Sequence, residues 1–318
     1  MLWLNLLWFI AAALVLVASG TFLVRSLARI SHFLRLTEFA AAFIIMAIAS
    51  SLPELFVGIS SAMAKNTALA LGNIIGANIL DITLITGIFI ILGRGISAKT
   101  KKIRTNALAM IAVVGLPLVL FLIGNSISRI DGIILIAVFL LYAQNLIRQS
   151  RKFEKPYEEE KKVGRKEIVL TVLLFIASLV LLFISANFLI KYASALAIDL
   201  NLPSIFIGLF LISIGTTLPE LTFGARAILM GHEEMSIGDQ IGTVIVNSTL
   251  ILGVTALIWP ITADFMAFFI AAIFLLFSAF LFTTFIQSAK KLDVGEGIAL
   301  VLLYVFFILI EFYVKGLI

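Results

Sequence analysis

The chain has 318 residues, of which 62% are hydrophobic and 13% charged, with no cysteine and a formal net charge of +5. A water-soluble domain carries about twice that charged fraction, so a soluble protein is excluded, and without thiols there is neither a disulfide nor a thiolate metal site. Apolar runs of about twenty residues recur from end to end, which argues for an all-α integral membrane protein and against a β-barrel, whose strands alternate over short segments.

In chain order the apolar runs predict ten transmembrane helices, at 3–24, 37–64, 68–92, 106–124, 129–148, 168–190, 203–230, 234–259, 262–288 and 297–315. No basic segment precedes the first run, and Arg25 and Arg29 follow it. It is therefore expected to be retained as a span with the N-terminus outside. Alternating the loops across a membrane places 19 of the 23 lysines and arginines on one side. That side is the expected cytoplasmic one, and both termini then face out. The polar segment 149–167, with Pro156 and the run Glu158 to Glu160, is expected to be a cytoplasmic linker between halves 1–148 and 168–318. Its mixed charges fit a solvated linker better than a regulatory Ca²⁺ site.

Five spans per half is an odd number, so the second half must enter the membrane from the opposite side, and a repeat between the halves has inverted topology. The stretch 47–87 does recur as 213–253, at a constant offset of 166. Pro53, Glu54, Gly58, Gly72, Gly76, Thr83 and Gly87 return as Pro219, Glu220, Gly224, Gly238, Gly242, Thr249 and Gly253. The expected fold is thus ten transmembrane helices arranged as two inverted repeats of five.

Glu54 lies roughly 16 Å of helix from the hairpin turn near Lys65, and Asp81 roughly 20 Å back from it. Both reach about the middle of a hydrocarbon core roughly 30 Å thick. Glu220 and Asn247 repeat that geometry, so four polar side chains are expected to converge at the midplane. No lysine or arginine is expected at that depth, since Arg226 falls almost two turns beyond Glu220. Carboxylates with amide and hydroxyl neighbours and no basic partner call for a hard cation, Ca²⁺ or Na⁺. Pro53 and Pro219 each deprive a carbonyl one turn earlier, around Ala49 and Gly215, of its helical donor. The small residues there (Ala47, Ala49, Ser50, Ser51; Ser213, Gly215, Thr216, Thr217) let a backbone break line a cavity. Gly72, Gly76, Gly238 and Gly242 are expected to allow close helix approach. Asn73, Asn78 and Asp239 either touch the ion path or bond helix to helix. His32 and His232 fall at the expected cytoplasmic surface. Glu38, Asp131, Asp199, Asp264 and Glu311 fall near span ends, as solvated or interfacial groups.

The two segments resemble the α-repeats of the cation/Ca²⁺ antiporter superfamily, the sodium/calcium exchangers of prokaryotic type. The likeness rests on Ser50-Ser51-Leu52-Pro53-Glu54 with Gly72-Asn73-Ile74-Ile75-Gly76-Ala77-Asn78-Ile79-Leu80-Asp81 in the first half. In the second half it rests on Gly215-Thr216-Thr217-Leu218-Pro219-Glu220 with Gly238-Asp239-Gln240-Ile241-Gly242-Thr243-Val244-Ile245-Val246-Asn247. The resemblance implies exchange of Ca²⁺ for Na⁺ by alternating access at one central site. It implies Glu54 and Glu220 as the main Ca²⁺ ligands, with backbone or hydroxyl oxygens from Ser50 and Thr216, and Asp81 and Asn247 completing the cluster. Ala47, Ser213, Ala77 and Thr243 fall where the family places Na⁺ ligands.

Three departures stand out. Asp81 and Asn247 reverse the family's order of Asn first and Asp second. Ala77 replaces a usual serine and Ala49 a usual glycine. Coupling to H⁺, or to K⁺ together with Na⁺, stays open beside Na⁺ coupling, although Gly76-Ala77 stands where proton-coupled relatives carry a glutamate. A passive divalent-cation channel is a second class. An intramembrane enzyme lacks its parts, because a His-Glu-x-x-His motif is absent and no histidine is expected at membrane depth. No cofactor is expected apart from the transported Ca²⁺ and Na⁺, no nucleic acid is needed to explain the charge, and the expected location is the cell membrane.

Overall fold

The computed structural model describes residues 2–33, 47–98, 101–150, 165–288 and 291–314. The first described half runs α1 (Leu2–Phe33), α2 (Ala47–Ser50), α3 (Leu52–Met63) and α4 (Thr67–Leu80). It continues through a π-helical turn, π1 (Asp81–Ile85), into α5 (Thr86–Leu92), then β1 (Ile96–Ser97), α6 (Lys101–Gly124) and α7 (Arg129–Ser150). The second runs α8 (Arg165–Asp199), α9 (Ser204–Ile207), π2 (Gly208–Ile212), α10 (Ser213–Leu229) and α11 (Glu233–Val246). After π3 (Asn247–Ile251) come α12 (Leu252–Ile258), α13 (Phe265–Ser288), β2 (Lys291–Leu292) and α14 (Val294–Val314).

Nine helical stretches among the described residues are long and apolar enough to cross a membrane, and Leu52–Met63 is a shorter apolar tenth. Residues 37–46 of the predicted second span, with Glu38, and the run Glu158 to Glu160 lie outside the described residues. Several helices outrun their predicted ends: α1 continues to Phe33, α7 to Ser150, and α8 spans Arg165–Asp199. Hydropathy marks where a chain leaves hydrocarbon, whereas a helix continues while its backbone bonds and residue propensities allow.

The centre of the bundle is Thr67–Leu92 and Glu233–Ile258, whose apolar windows are 83% and 78% buried, against 33% for Leu2–Leu23 and 28% for Val169–Asp199. Elements around this centre recur at the offset seen in the sequence. α4, π1 and α5 correspond to α11, π3 and α12, each 166 residues later. The Ser97 amide donates to Glu233 Oε2 at 2.6 Å, and the Thr262 amide donates to Thr67 Oγ1 at 3.2 Å, tying the hairpin turns to distant loops in the same way. β1 pairs antiparallel with β2 through Ile96 and Leu292, and Ile127 forms an isolated bridge with Ile261.

Without water to drive apolar surfaces together, helices in hydrocarbon associate through close packing and polar contacts, and small residues permit the closest approach. Gly72 and Gly76 on α4 serve this role, because a Cβ at either would collide with the backbone of Ile205 or Leu209 on α9 and π2. Gly87 and Gly253 similarly admit the carbonyls of Gly297 and Gly132. On α1, a Cβ at Gly20 would meet both Pro219 at 3.0 Å and Pro53 at 3.1 Å, so this outer helix rests on the two proline turns at once.

Gly76→Ala is expected to lower thermal stability by about 1–3 kcal/mol, the usual range for overpacking. Gly115→Ala, whose Cβ would meet nothing nearer than Leu276 at 3.8 Å, should melt like the parent protein in a detergent thermal-shift assay.

Candidate ion-binding site

The site is built where backbone regularity fails. α2 and α3 form one helix interrupted at Ser51 (φ −78°, ψ 2°), because the Pro53 nitrogen has no hydrogen to donate one turn back. The second half treats its Pro-Glu pair differently. The break expected around Gly215 is not there, since α10 runs unbroken from Ser213 through Pro219 to Leu229. The irregular backbone is instead π2, directly upstream. Thr216 and Thr217 both donate to the Ser213 carbonyl, at 3.2 and 2.9 Å. These bonds hold the first turn of α10 together while the wider π turn takes up the displacement.

All ten residues predicted for the site are fully buried: Glu54, Asp81, Glu220, Asn247, Ser50, Thr216, Ala47, Ser213, Thr243 and Ala77. No carboxylate oxygen of Glu54, Asp81 or Glu220 has a hydrogen-bond partner. Glu220 lies in the electrostatic field of both Glu54 and Asp81, and Thr216 lies beside the Glu54 carboxylate. Among the described residues, no three His, Cys, Asp or Glu side chains close to a distance at which they hold one metal ion. An ion at Glu54 and Glu220 therefore needs neutral oxygens for the rest of its shell. Hard cations accept carbonyls and hydroxyls in that role.

Asp81 and Asn247 are each the first residue of a π turn, π1 and π3, a feature frequent at functional sites. Thr86 donates to the Asp81 carbonyl at 2.6 Å. Asn247 Nδ2 donates to Asn78 Oδ1 at 3.0 Å, and Asn78 Nδ2 donates to Ser248 Oγ at 2.9 Å. Asn78 thus bonds helix to helix and in doing so orients Asn247, whose own Oδ1 is left without a partner. The Ser50 and Thr243 hydroxyls are 3.2 Å apart, and Thr216 donates to Asn73 Oδ1 at 3.1 Å.

Asp239 joins this group. It is buried, neither of its carboxylate oxygens has a partner, and it lies in the field of Asp81 and Glu220. The signal for it was the spacing: Asn73, Ala77 and Asp81, and likewise Asp239, Thr243 and Asn247, fall at intervals of four and so share one helical face.

Among the span-end acids, Asp131 accepts from the Ser128 amide at 2.7 Å, Asp264 from the Ala267 amide at 2.9 Å, and Asp199 from Asn5 at 2.8 Å. These are end-of-helix positions, as predicted, and His232 is exposed. Glu311 is not interfacial: it is fully buried. Gly297, Leu300, Tyr304, Phe307 and Glu311 repeat every three or four residues as the inner face of α14, so helical periodicity turns Glu311 inward despite its place near the span's end.

The family model described as "Sodium/calcium exchanger protein" matches residues 4–147 and 170–313. The sodium/calcium exchanger MaX1 of Methanosarcina acetivorans is 23% identical over an alignment covering 99% of this chain and 100% of the relative. The putative antiporter CaxA of Alkalimonas amylolytica is 30% identical, covering 69% of this chain and 70% of its own. The inner membrane protein YrbG of Escherichia coli is 26% identical, covering 70% of each chain. Among solved structures, the sodium-calcium exchanger NCX_Mj soaked with 10 mM Na⁺ and zero Ca²⁺ aligns with a TM-score of 0.68 at 25% identity, over 97% of this chain and 99% of that one.

Removing the Asn78 amide would leave the Asn247 Nδ2 and the Ser248 hydroxyl without their present partner. Asn78→Ala is therefore expected to cost about 1–3 kcal/mol of stability, the penalty for stranding buried polar groups, measured as a lowered melting temperature of the purified protein.

Proposed function

The chain belongs to the sodium/calcium exchanger protein family, and from that premise we propose that it exchanges Ca²⁺ for Na⁺ across the cell membrane by alternating access at the buried acidic site. The observation that carries this reading is the pair Glu54 and Glu220, both fully buried with all four carboxylate oxygens unpartnered. Two carboxylates kept from water without partners are costly in an apolar interior. A divalent cation removes that cost by taking both charges as ligands. Ca²⁺ takes six to eight oxygens, so carbonyls and hydroxyls around Ser50 and Thr216 complete its shell, with Asp81 and Asn247 flanking it. Ala47, Ser213, Ala77 and Thr243 mark the positions for the competing Na⁺.

Exchange requires that Ca²⁺ and Na⁺ each stabilise the site while excluding the other. Overlapping ligands in a single crowded cluster support that competition. The elements repeated at a constant interval support two inverted repeats of five helices, 1–148 and 168–318, rocking about the site. The distribution of lysine and arginine supports a cytoplasmic 149–167 linker with both termini outside. H⁺, or K⁺ with Na⁺, is the alternative coupling, and the buried methyl of Ala77 in place of a hydroxyl is the observation that favours it.

The reading is tested by ⁴⁵Ca²⁺ uptake into proteoliposomes under Na⁺, K⁺ or H⁺ gradients imposed one at a time. An outward Na⁺ gradient is expected to drive uptake. Glu54→Gln and Glu220→Gln should each lower it at least about 30-fold, the equivalent of about 2 kcal/mol for a lost charged ligand. Uptake driven by a pH gradient and indifferent to Na⁺ would overturn the coupling. Downhill Ca²⁺ flux with no counter-ion would mark a channel.

A further inference from the structure

Asp239 lies on α11 one turn before Thr243 and two before Asn247. Its residue is 1% exposed and neither carboxylate oxygen has a hydrogen-bond partner. The Ser50 hydroxyl lies beside the carboxylate and is itself 3.2 Å from the Thr243 hydroxyl. The Ser50 hydroxyl thus lies beside both the buried Asp239 carboxylate and the Thr243 hydroxyl.

The counterpart of this point in the first half shows what a purely structural version looks like. There Asn73 takes the place of Asp239, and its Oδ1 accepts a hydrogen bond from Thr216, the counterpart of Ser50, at 3.1 Å. Ala77 takes the place of Thr243. An amide of the same shape therefore suffices to bridge α4 and α10. A carboxylate adds no bridging capacity and brings a charge that is costly in an apolar interior unless a cation offsets it. The two halves also differ in what they can offer an ion: carboxylate and two hydroxyls in one, amide, one hydroxyl and a methyl in the other.

We propose that Asp239, Ser50 and Thr243 form an alkali-cation subsite that adjoins the Ca²⁺ position at Glu54 and Glu220 through Ser50 and binds Na⁺ through the Asp239 carboxylate, which has no counterpart in the half that carries Asn73 and Ala77. One carboxylate with two neutral hydroxyls suits a monovalent ion. A divalent cation demands more charge and more oxygens. Charge balance points the same way. With Glu54, Glu220 and Asp81 ionised, ionised Asp239 adds a fourth negative charge to the interior, which one further monovalent cation offsets. This assignment rests on the exchange reading for its role in transport, although Na⁺ binding at the subsite is measurable without transport.

The test is equilibrium binding of ²²Na⁺ and, separately, of ⁴⁵Ca²⁺ in Na⁺-free buffer, to the purified full chain and to Asp239→Asn, which copies the Asn73 arrangement. The variant is expected to lose one bound Na⁺ per chain or at least about tenfold in Na⁺ affinity, the loss expected for a charged ligand, with a much smaller change for Ca²⁺. Unchanged ²²Na⁺ binding overturns the subsite, and so do parallel losses for both ions, which would place Asp239 in the Ca²⁺ shell or in a structural role. Asp239→Ser, which removes the charge and keeps a small polar side chain, decides the matter if Asp239→Asn does not fold: weakened Na⁺ binding supports the subsite and parental binding overturns it. Asp239-dependent ²²Na⁺ binding supports the subsite even if proteoliposome Ca²⁺ uptake ignores Na⁺, a result that would overturn only the coupling reading.

Discussion

Carboxylates enclosed where water does not reach impose the constraint on which the rest of this bundle depends. Glu54, Asp81, Glu220 and Asp239 are all buried, and none of their carboxylate oxygens finds a hydrogen-bond partner. The penalty for isolated charge in hydrocarbon is several kcal/mol per group, comparable with the whole net stability of a small domain. Four such groups close enough to sense one another are tolerable only when bound cations or protons offset their charge. The neutral oxygens nearby, on Ser50, Thr216, Thr243 and Asn247, are of the kind that hard cations accept, which ties the cost of the fold to its proposed work.

The backbone irregularities serve the same centre. Pro53 interrupts one helix at Ser51, π2 precedes the other proline-bearing helix, and π1 and π3 begin at Asp81 and Asn247. Each device turns a side chain or frees a carbonyl where a regular α-helix would have used it internally. Glycines then allow the irregular segments to lie against one another, with α4 in backbone contact with π2 through Gly72 and Gly76. Ligand geometry and helix packing are therefore not separable: a methyl group added at Gly76 acts on the segment leading into Ser213 and Thr216.

The glutamates, prolines and glycines were legible in the sequence because each is expensive or disruptive in a span and each came twice at one offset. Helix arithmetic gave an expected depth for Asp81 and Asn247 alongside the two glutamates, and the structure adds that all four are buried. Asp239 was harder to read. An aspartate opposite an asparagine looks like ordinary drift until three-dimensional placement shows that the asparagine Oδ1 accepts from Thr216 while both aspartate oxygens are buried beside only the Ser50 hydroxyl. The continuity of α10 was not legible either: a proline removes one backbone donor, and whether the helix breaks there depends on the surrounding turns, here the first turn of α10 with Thr216 and Thr217 on the Ser213 carbonyl. Glu311 escaped for a related reason: hydropathy located it near the end of a span, but its place on the inner face of α14 decided its burial.

The central claim is that Glu54 and Glu220 together hold the transported divalent cation. Long-wavelength anomalous diffraction from crystals grown in Ca²⁺ tests it most directly. The account predicts the strongest anomalous peak between the two carboxylates, within coordination distance of both and of carbonyl or hydroxyl oxygens from the Ser50 and Thr216 turns. A dry interior there, with the two glutamates hydrogen-bonded to one another and the Ca²⁺ signal elsewhere, would contradict it.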